Sequence, residues 1–216
     1  MASLAEHYEP KIDVIIRPYC RHRPRLLLTI GLYKDGETAI LQHGEPHASF
    51  AGASPDRSSP IYEIGSITKA FTGALLARAI RDGRAGLDDP VTRFMPALAS
   101  NGSLAEHPVT LRQLATHTSG LPSLPPSFIL RLSFSRKARS NPYVHFDTDD
   151  MIRFLSRYKF PARRPFRYSN LGAGLLGRIL ASVYQGDYET VLLEQICRPL
   201  GLADTAIRLS GEQRER

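Results

Sequence analysis

A serine three residues ahead of a lysine can do nucleophilic chemistry when the pair stands at the start of a helix. Positions three apart share a helix face, so in Ser66-Ile67-Thr68-Lys69 the amine of Lys69 can lie beside the Ser66 hydroxyl. A helix N-terminus adds an electropositive end and unsatisfied N–H groups at the same place. Acyl transfer needs such parts: a nucleophile, a group to take its proton, and donors for the developing oxyanion. The spacing alone is not selective. Ser156-Arg157-Tyr158-Lys159 repeats it late in another expected helix, with Arg153 and Arg157 around it, and reads as solvated surface. Ser66 differs by context: a short, mostly apolar run from Ile61 to Ile64, then Gly65, then an apolar helix. A lysine inside such a helix is costly unless its amine reaches a polar site. On these residues alone a second reading stays open, with Ser66 a plain helix cap and Lys69 snorkelling outward.

Tyr168-Ser169-Asn170 is the only Tyr-x-Asn in the chain. Alone it reads as a loop tyrosine and a helix cap preceding Leu171. Joined to Ser66 it supplies a phenol for proton transfer, made more acidic by the Lys69 charge, and a carboxamide to hydrogen-bond a substrate amide. A Ser-His-Asp triad is the competing scheme. No Gly-x-Ser-x-Gly elbow occurs, and His117, in Thr116-His117-Thr118-Ser119, sits near a helix end where it is expected to cap carbonyls. No His-Glu-x-x-His suggests zinc, and no Gly-x-x-x-x-Gly-Lys loop suggests a nucleotide. Neither a metal nor a cofactor is expected.

The elements that must position these residues follow from patterning. Leu4, Tyr8, Ile12, Ile15 and Ile16 recur at roughly helical spacing, with Pro10 expected to kink that helix or to mark its start. Leu26 to Tyr33 and Thr38 to Gln42 read as a hairpin around Asp35-Gly36, which needs further strands or a covering helix to be stable. Pro46 to Pro60 reads as loop. From Ile67 to Ile80 apolar residues fall on almost every side, predicting a helix buried all round that Asp82-Gly83 stops. Asp89-Pro90 predicts a cap with proline at the first helical position, and Thr110-x-x-Gln113 a capping box. Pro122 to Pro142 is a long basic and apolar connection, expected to be a flap beside the pocket. Helices are predicted from Asp149 to Tyr158, over Leu175 to Val183, and over Tyr188 to Ile196.

The 216 residues suffice for one sizeable core or a core with an inserted lobe, and 42% hydrophobic with 23% charged residues is an ordinary globular composition. No stretch approaches the ~18 consecutive apolar residues of a membrane span. Met1 to Tyr19 carries Glu6, Glu9, Lys11 and Asp13 and lacks the apolar core of a secretory signal. The chain is therefore expected in the cytoplasm unless an export signal has been removed. Cys20 and Cys197 show no metal-ligand spacing and read as reduced structural thiols. The net charge of +7 gathers loosely at 17–25, 131–139 and 163–167 without a nucleic-acid-binding module, so solvated surface charge is expected and no nucleic-acid partner.

Four stretches, in order, resemble the class C β-lactamase and penicillin-binding-protein-like family, which also holds D-amino peptidases and esterases. They are Glu63 to Thr72, Thr110 to Pro122, Phe166 to Asn170, and Pro199-Leu200-Gly201-Leu202-Ala203-Asp204-Thr205. The resemblance implies an α+β, β-lactamase/transpeptidase-like fold, an antiparallel sheet packed by helices with a mostly helical lobe. Residues 1–65 would form the helix and hairpin of the α/β part, and residues 66–216 the nucleophile helix and helical lobe. It implies Ser66 as the acylated nucleophile, Lys69 assisting its activation, Tyr168 shuttling the proton to the leaving group, and Asn170 binding the substrate amide. The substrate would be a small molecule or peptide: a β-lactam, a D-amino peptide or an ester. The His117 and Pro-Leu-Gly-Leu stretches would be scaffold. One departure stands out. The family's third motif, Lys or His with a small residue and Gly, has no counterpart after Asn170 in this sequence, and neither do the family's closing strands. The alternative expectation is therefore a truncated or non-turnover penicillin-binding-like pseudoenzyme or sensor.

Overall fold

The computed structural model describes residues 3–23, 26–44, 61–126, 128 and 146–214. The expected loop at 46–60 and most of the connection at 122–142 lie outside the described residues. The chain divides into two compact units, Met1–Tyr62 with Arg208–Arg216, and Glu63–Ile207.

The first unit is a helix on a hairpin. Helix α1 (Leu4–Arg21) starts with a capping box in which Ser3 and Glu6 satisfy each other's backbone N–H groups. It runs unbroken through both Pro10 and Pro18, so Pro10 neither begins nor ends it. Leu4 is buried and Tyr8, Ile12 and Ile16 half-buried, whereas Ile15 points outward, which corrects its place in the expected stripe. Strands β1 (Leu28–Lys34) and β2 (Glu37–His43) pair antiparallel, with Ile30 opposite Leu41 and Leu32 opposite Ala39. Asp35 and Gly36 both take positive φ, 51° and 85°, as a two-residue hairpin matched to strand twist requires. α1 packs on this pair and supplies the cover that two strands need. The Glu37 carboxylate ties the layers by accepting the Leu4 N–H at 3.0 Å.

The second unit is helical. A 3-10 turn (Gly65–Ile67) leads into α2 (Thr68–Arg81), followed by α3 (Val91–Phe94), α4 (Gly102–Glu106), α5 (Leu111–Ala115), α6 (Thr148–Arg157), α7 (Asn170–Val183) and α8 (Tyr188–Leu192). A short α9 (Gly211–Arg214) belongs to the first unit. The expected capping box at Thr110 and Gln113 is present. Asp89, expected to cap α3, instead accepts from the Gly86 N–H and from Arg93, and Pro90 occupies the cap position.

The core gathers around α7. Leu171, Gly172, Leu175, Leu176, Gly177, Ile179, Leu180 and Ala181 are all buried, so α7 is the helix enclosed on nearly every side. That role was expected of α2, and the structure corrects it. α2 buries one stripe, Thr72, Leu75, Leu76 and Ala79, while Ile67 is 63% exposed and Ala70 and Ala74 are exposed too. Residues 67, 70 and 74 form a separate helical stripe, turned away from the α7 side. Among the described residues no helix is long and apolar enough to cross a membrane. Cys20 is half-buried and Cys197 buried, and both are free thiols.

Asn101 joins helices α4 and α6. Its carboxamide oxygen caps α4 by accepting the Ser103 and Leu104 N–H groups, and its amide donates to the Leu155 and Tyr158 carbonyls, both at 2.9 Å. Asn101→Ala is expected to lower unfolding free energy by about 2–4 kcal/mol, from a lost cap and the lost amide hydrogen bonds to α6. Denaturant unfolding measures this, and a loss below about 0.5 kcal/mol, the ordinary size for a surface change, contradicts it.

Candidate active site

Gly65, at φ 51°, takes a left-handed step that a side chain would resist, and it turns the 61–64 segment into the 3-10 turn bearing Ser66. Neither that turn nor α2 has a side-chain cap, so Ser66 is not serving as one. Its hydroxyl is engaged elsewhere. Lys69 Nζ donates to Ser66 Oγ at 3.0 Å, and the Tyr168 hydroxyl lies 2.8 Å from the same oxygen. The Lys69 ammonium also stands 4.8 Å from the centre of the Tyr168 ring. Lys69 therefore turns toward the serine instead of snorkelling to solvent. The second Ser-x-x-Lys has no such arrangement, because Ser156 Oγ donates to the Ile152 carbonyl of its own helix at 2.8 Å.

Tyr168 reaches the site from the connection between α6 and α7, which is pinned along its length. Tyr158 donates through its hydroxyl to the Gly120 carbonyl at 2.8 Å. The Arg164 guanidinium donates to the carbonyls of His107, Pro108 and Pro161 and to Gln113. Gly120 has φ 76°, and a Cβ there would come within 2.8 Å of Pro161. Ser169 then caps α7 by accepting the Gly172 N–H, while its hydroxyl donates to the Pro122 carbonyl at 2.7 Å. Tyr168 thus immediately precedes the cap of a buried helix.

Asn170 opens α7 and lines a groove of about 740 Å³ together with Ser66, Lys69, Thr72, Gly174 and Arg178. Three of the four residues singled out from the sequence, Ser66, Lys69 and Asn170, thus line one groove, and the fourth, Tyr168, bonds to Ser66. The floor between α2 and α8 is closed by Thr72 Oγ1 and the Tyr188 hydroxyl, 2.7 Å apart. Among the described residues no cluster of His, Cys, Asp or Glu has the makings of a metal site.

The charges act in a consistent direction. Hydrogen bonding from Lys69, then from Ser66, holds the Tyr168 phenol below the usual tyrosine range, with desolvation opposing. His117 is held below the usual histidine range, by burial first and by the Lys69 charge second. The His117 ring does not cap helix carbonyls as expected. Its Nδ1 accepts the Ser169 N–H at 3.2 Å, and its ring lies 4.7 Å from that of Tyr168. Committed to a backbone N–H, Nδ1 is not the base of a Ser-His-Asp triad. Position 117 was legible as a histidine beside a glycine-containing turn, but nothing in its neighbours' types pointed to residues more than fifty positions away.

Residues 17–216 match the family model described as Beta-lactamase. The chain is 27% identical over 205 residues to a beta-lactamase of Pseudomonas fluorescens, covering 94% of this chain and 51% of that protein. It is 32% identical over 155 residues to the D-alanyl-D-alanine-carboxypeptidase/endopeptidase AmpH of Escherichia coli, covering 71% of this chain and 38% of that one. Among solved structures, a class C beta lactamase from Rhodobacter sphaeroides superposes with a TM-score of 0.70 at 26% identity, over 93% of this chain and 52% of that one. A further class C beta lactamase gives 0.76 at 23% identity, over 100% of this chain and 55% of the other. The fold is β-lactamase/transpeptidase-like, and the match spans between 38% and 55% of these relatives' own lengths.

If Lys69 is what makes Tyr168 acidic, Lys69→Met should move the Tyr168 titration up toward the ordinary value of about 10. Carbon-13 NMR of Cζ-labelled tyrosine reads this directly, with Tyr168→Phe identifying the resonance. An unshifted titration would contradict the electrostatic account.

Proposed function

This chain belongs to the Beta-lactamase family, and from that premise we propose that it is a serine hydrolase of β-lactamase type acting through an acyl-enzyme on Ser66. The observation that carries the reading is the single Ser66 oxygen held between the Lys69 amine and the Tyr168 phenol. Tyr168, in its phenolate form and stabilised by the Lys69 ammonium, takes the Ser66 proton. Ser66 Oγ bonds to the acyl carbon, and the amide or ester bond breaks. Tyr168 then returns the proton to the departing amine or alkoxide, and water later releases the acyl group. The Ser66 backbone N–H, in the 3-10 turn that leads into α2, would serve the developing oxyanion. Asn170, on the same groove, holds the substrate amide. Relatives named as beta-lactamases and as a D-alanyl-D-alanine peptidase favour a β-lactam, a D-amino peptide or a related ester as substrate.

Intact mass after incubation with a fluorescent penicillin or an activated aryl ester tests this. One adduct per chain is expected, absent in Ser66→Ala and formed about 10²–10⁴-fold more slowly in Tyr168→Phe. Equal labelling of wild type and Ser66→Ala would overturn the nucleophile assignment.

A further inference from the structure

His117 touches Tyr168 and the residues on both sides of it. Its backbone carbonyl accepts the Arg167 N–H at 2.8 Å, and its Nδ1 accepts the Ser169 N–H at 3.2 Å. Between these two bonds its ring packs on the Tyr168 ring at 4.7 Å, tilted 42°, while Phe166 meets it edge-on at 6.0 Å. One residue after α5 thus holds the strip 166–169 by two hydrogen bonds and two ring contacts. Its own backbone is set for this. His117 has φ 57°, a left-handed conformation uncommon outside glycine, and the Thr118 N–H bonded to the Gln113 carbonyl closes the turn around it.

We propose that His117 is a positioning residue for Tyr168, a two-point clamp that holds the phenol against Ser66 and works only while its Nδ1 carries a lone pair. The proposal rests on the reading of Tyr168 as the proton shuttle. An N–H can donate only to an unprotonated ring nitrogen, so the clamp requires neutral imidazole with its proton on Nε2. Protonated His117 would set a second N–H against that of Ser169, and the strip would have to move. The titratable groups facing the ring are Lys69 of α2 and Tyr168; the Arg167 side chain is exposed. The walls from α5 and α7, including Leu114, Ala173 and Leu176, carry no charge. Burial and the Lys69 cation both oppose protonation, which keeps the clamp closed near neutral pH.

Three readouts on the full chain test this. In wild type, nitrogen-15 shifts of labelled histidine should show His117 as the Nε2–H tautomer, and acidification through its titration should shift the Tyr168 Cζ resonance. His117→Ala should slow Ser66 acylation between about tenfold and a hundredfold, the usual scale for a misplaced catalytic group, and should change the Tyr168 titration. His117→Asn places an acceptor near the Nδ1 position, tolerates positive φ, and should recover the rate to within about threefold. A proton on Nδ1 in wild type would overturn the proposal. So would an alanine variant with unchanged Tyr168 titration and rate, or an asparagine variant as impaired as alanine. If the alanine variant does not fold, the wild-type tautomer and the acid-induced Tyr168 shift decide. If wild type itself is not acylated, the reading of Tyr168 as a shuttle fails, and the two NMR readouts still judge the clamp.

Discussion

One oxygen atom organises this structure. Ser66 Oγ is bonded at once to an amine three residues on and to a phenol 102 residues on. The first partner comes nearly free, since a helical turn brings positions three apart onto one face. The second exists only because α2 and α7 pack together, with Leu75, Leu76, Leu175 and Ile179 buried in one core. Tyr168 lies two residues before α7, and the cap at Ser169 fixes where that helix begins. Apolar packing therefore sets a polar distance. A shift of an ångström between the two helices would break a hydrogen bond, not merely loosen a contact.

The cation at position 69 is costly in an apolar helix unless its charge is used. Here it acts on both aromatic neighbours. It stabilises the charged form of Tyr168 and disfavours the charged form of His117. Those two effects favour a phenolate that can take a proton beside an imidazole that stays neutral. The same charge thus serves the chemistry and preserves the hydrogen bond from Ser169 to His117.

Local signals in the sequence carried much of the fold. The Asp35-Gly36 turn, the Thr110–Gln113 capping box and the helices around Ile152 and Ile179 follow from short-range chemistry, and each is present. The four residues Ser66, Lys69, Tyr168 and Asn170 were legible as types and spacings; three line one groove and Tyr168 bonds to Ser66. What composition could not assign was partnership. α2 and α7 are both apolar helices of fourteen residues, and only tertiary packing decides that α7 is enclosed while α2 keeps an exposed stripe at Ile67, Ala70 and Ala74. Ile15 and Ile16 are adjacent and alike, and a difference of 100° around α1 sends one out and the other in. His117 was misassigned for a similar reason: its bonding partners lie fifty and more residues away, beyond the reach of local pattern.

The direct test of the shared oxygen is a double-mutant cycle on the rate of Ser66 acylation, combining Lys69→Met with Tyr168→Phe. If amine and phenol act as one unit on the same hydroxyl, the double variant should be little slower than the slower single variant. Rate losses that multiply, as for two groups working independently, would contradict the account.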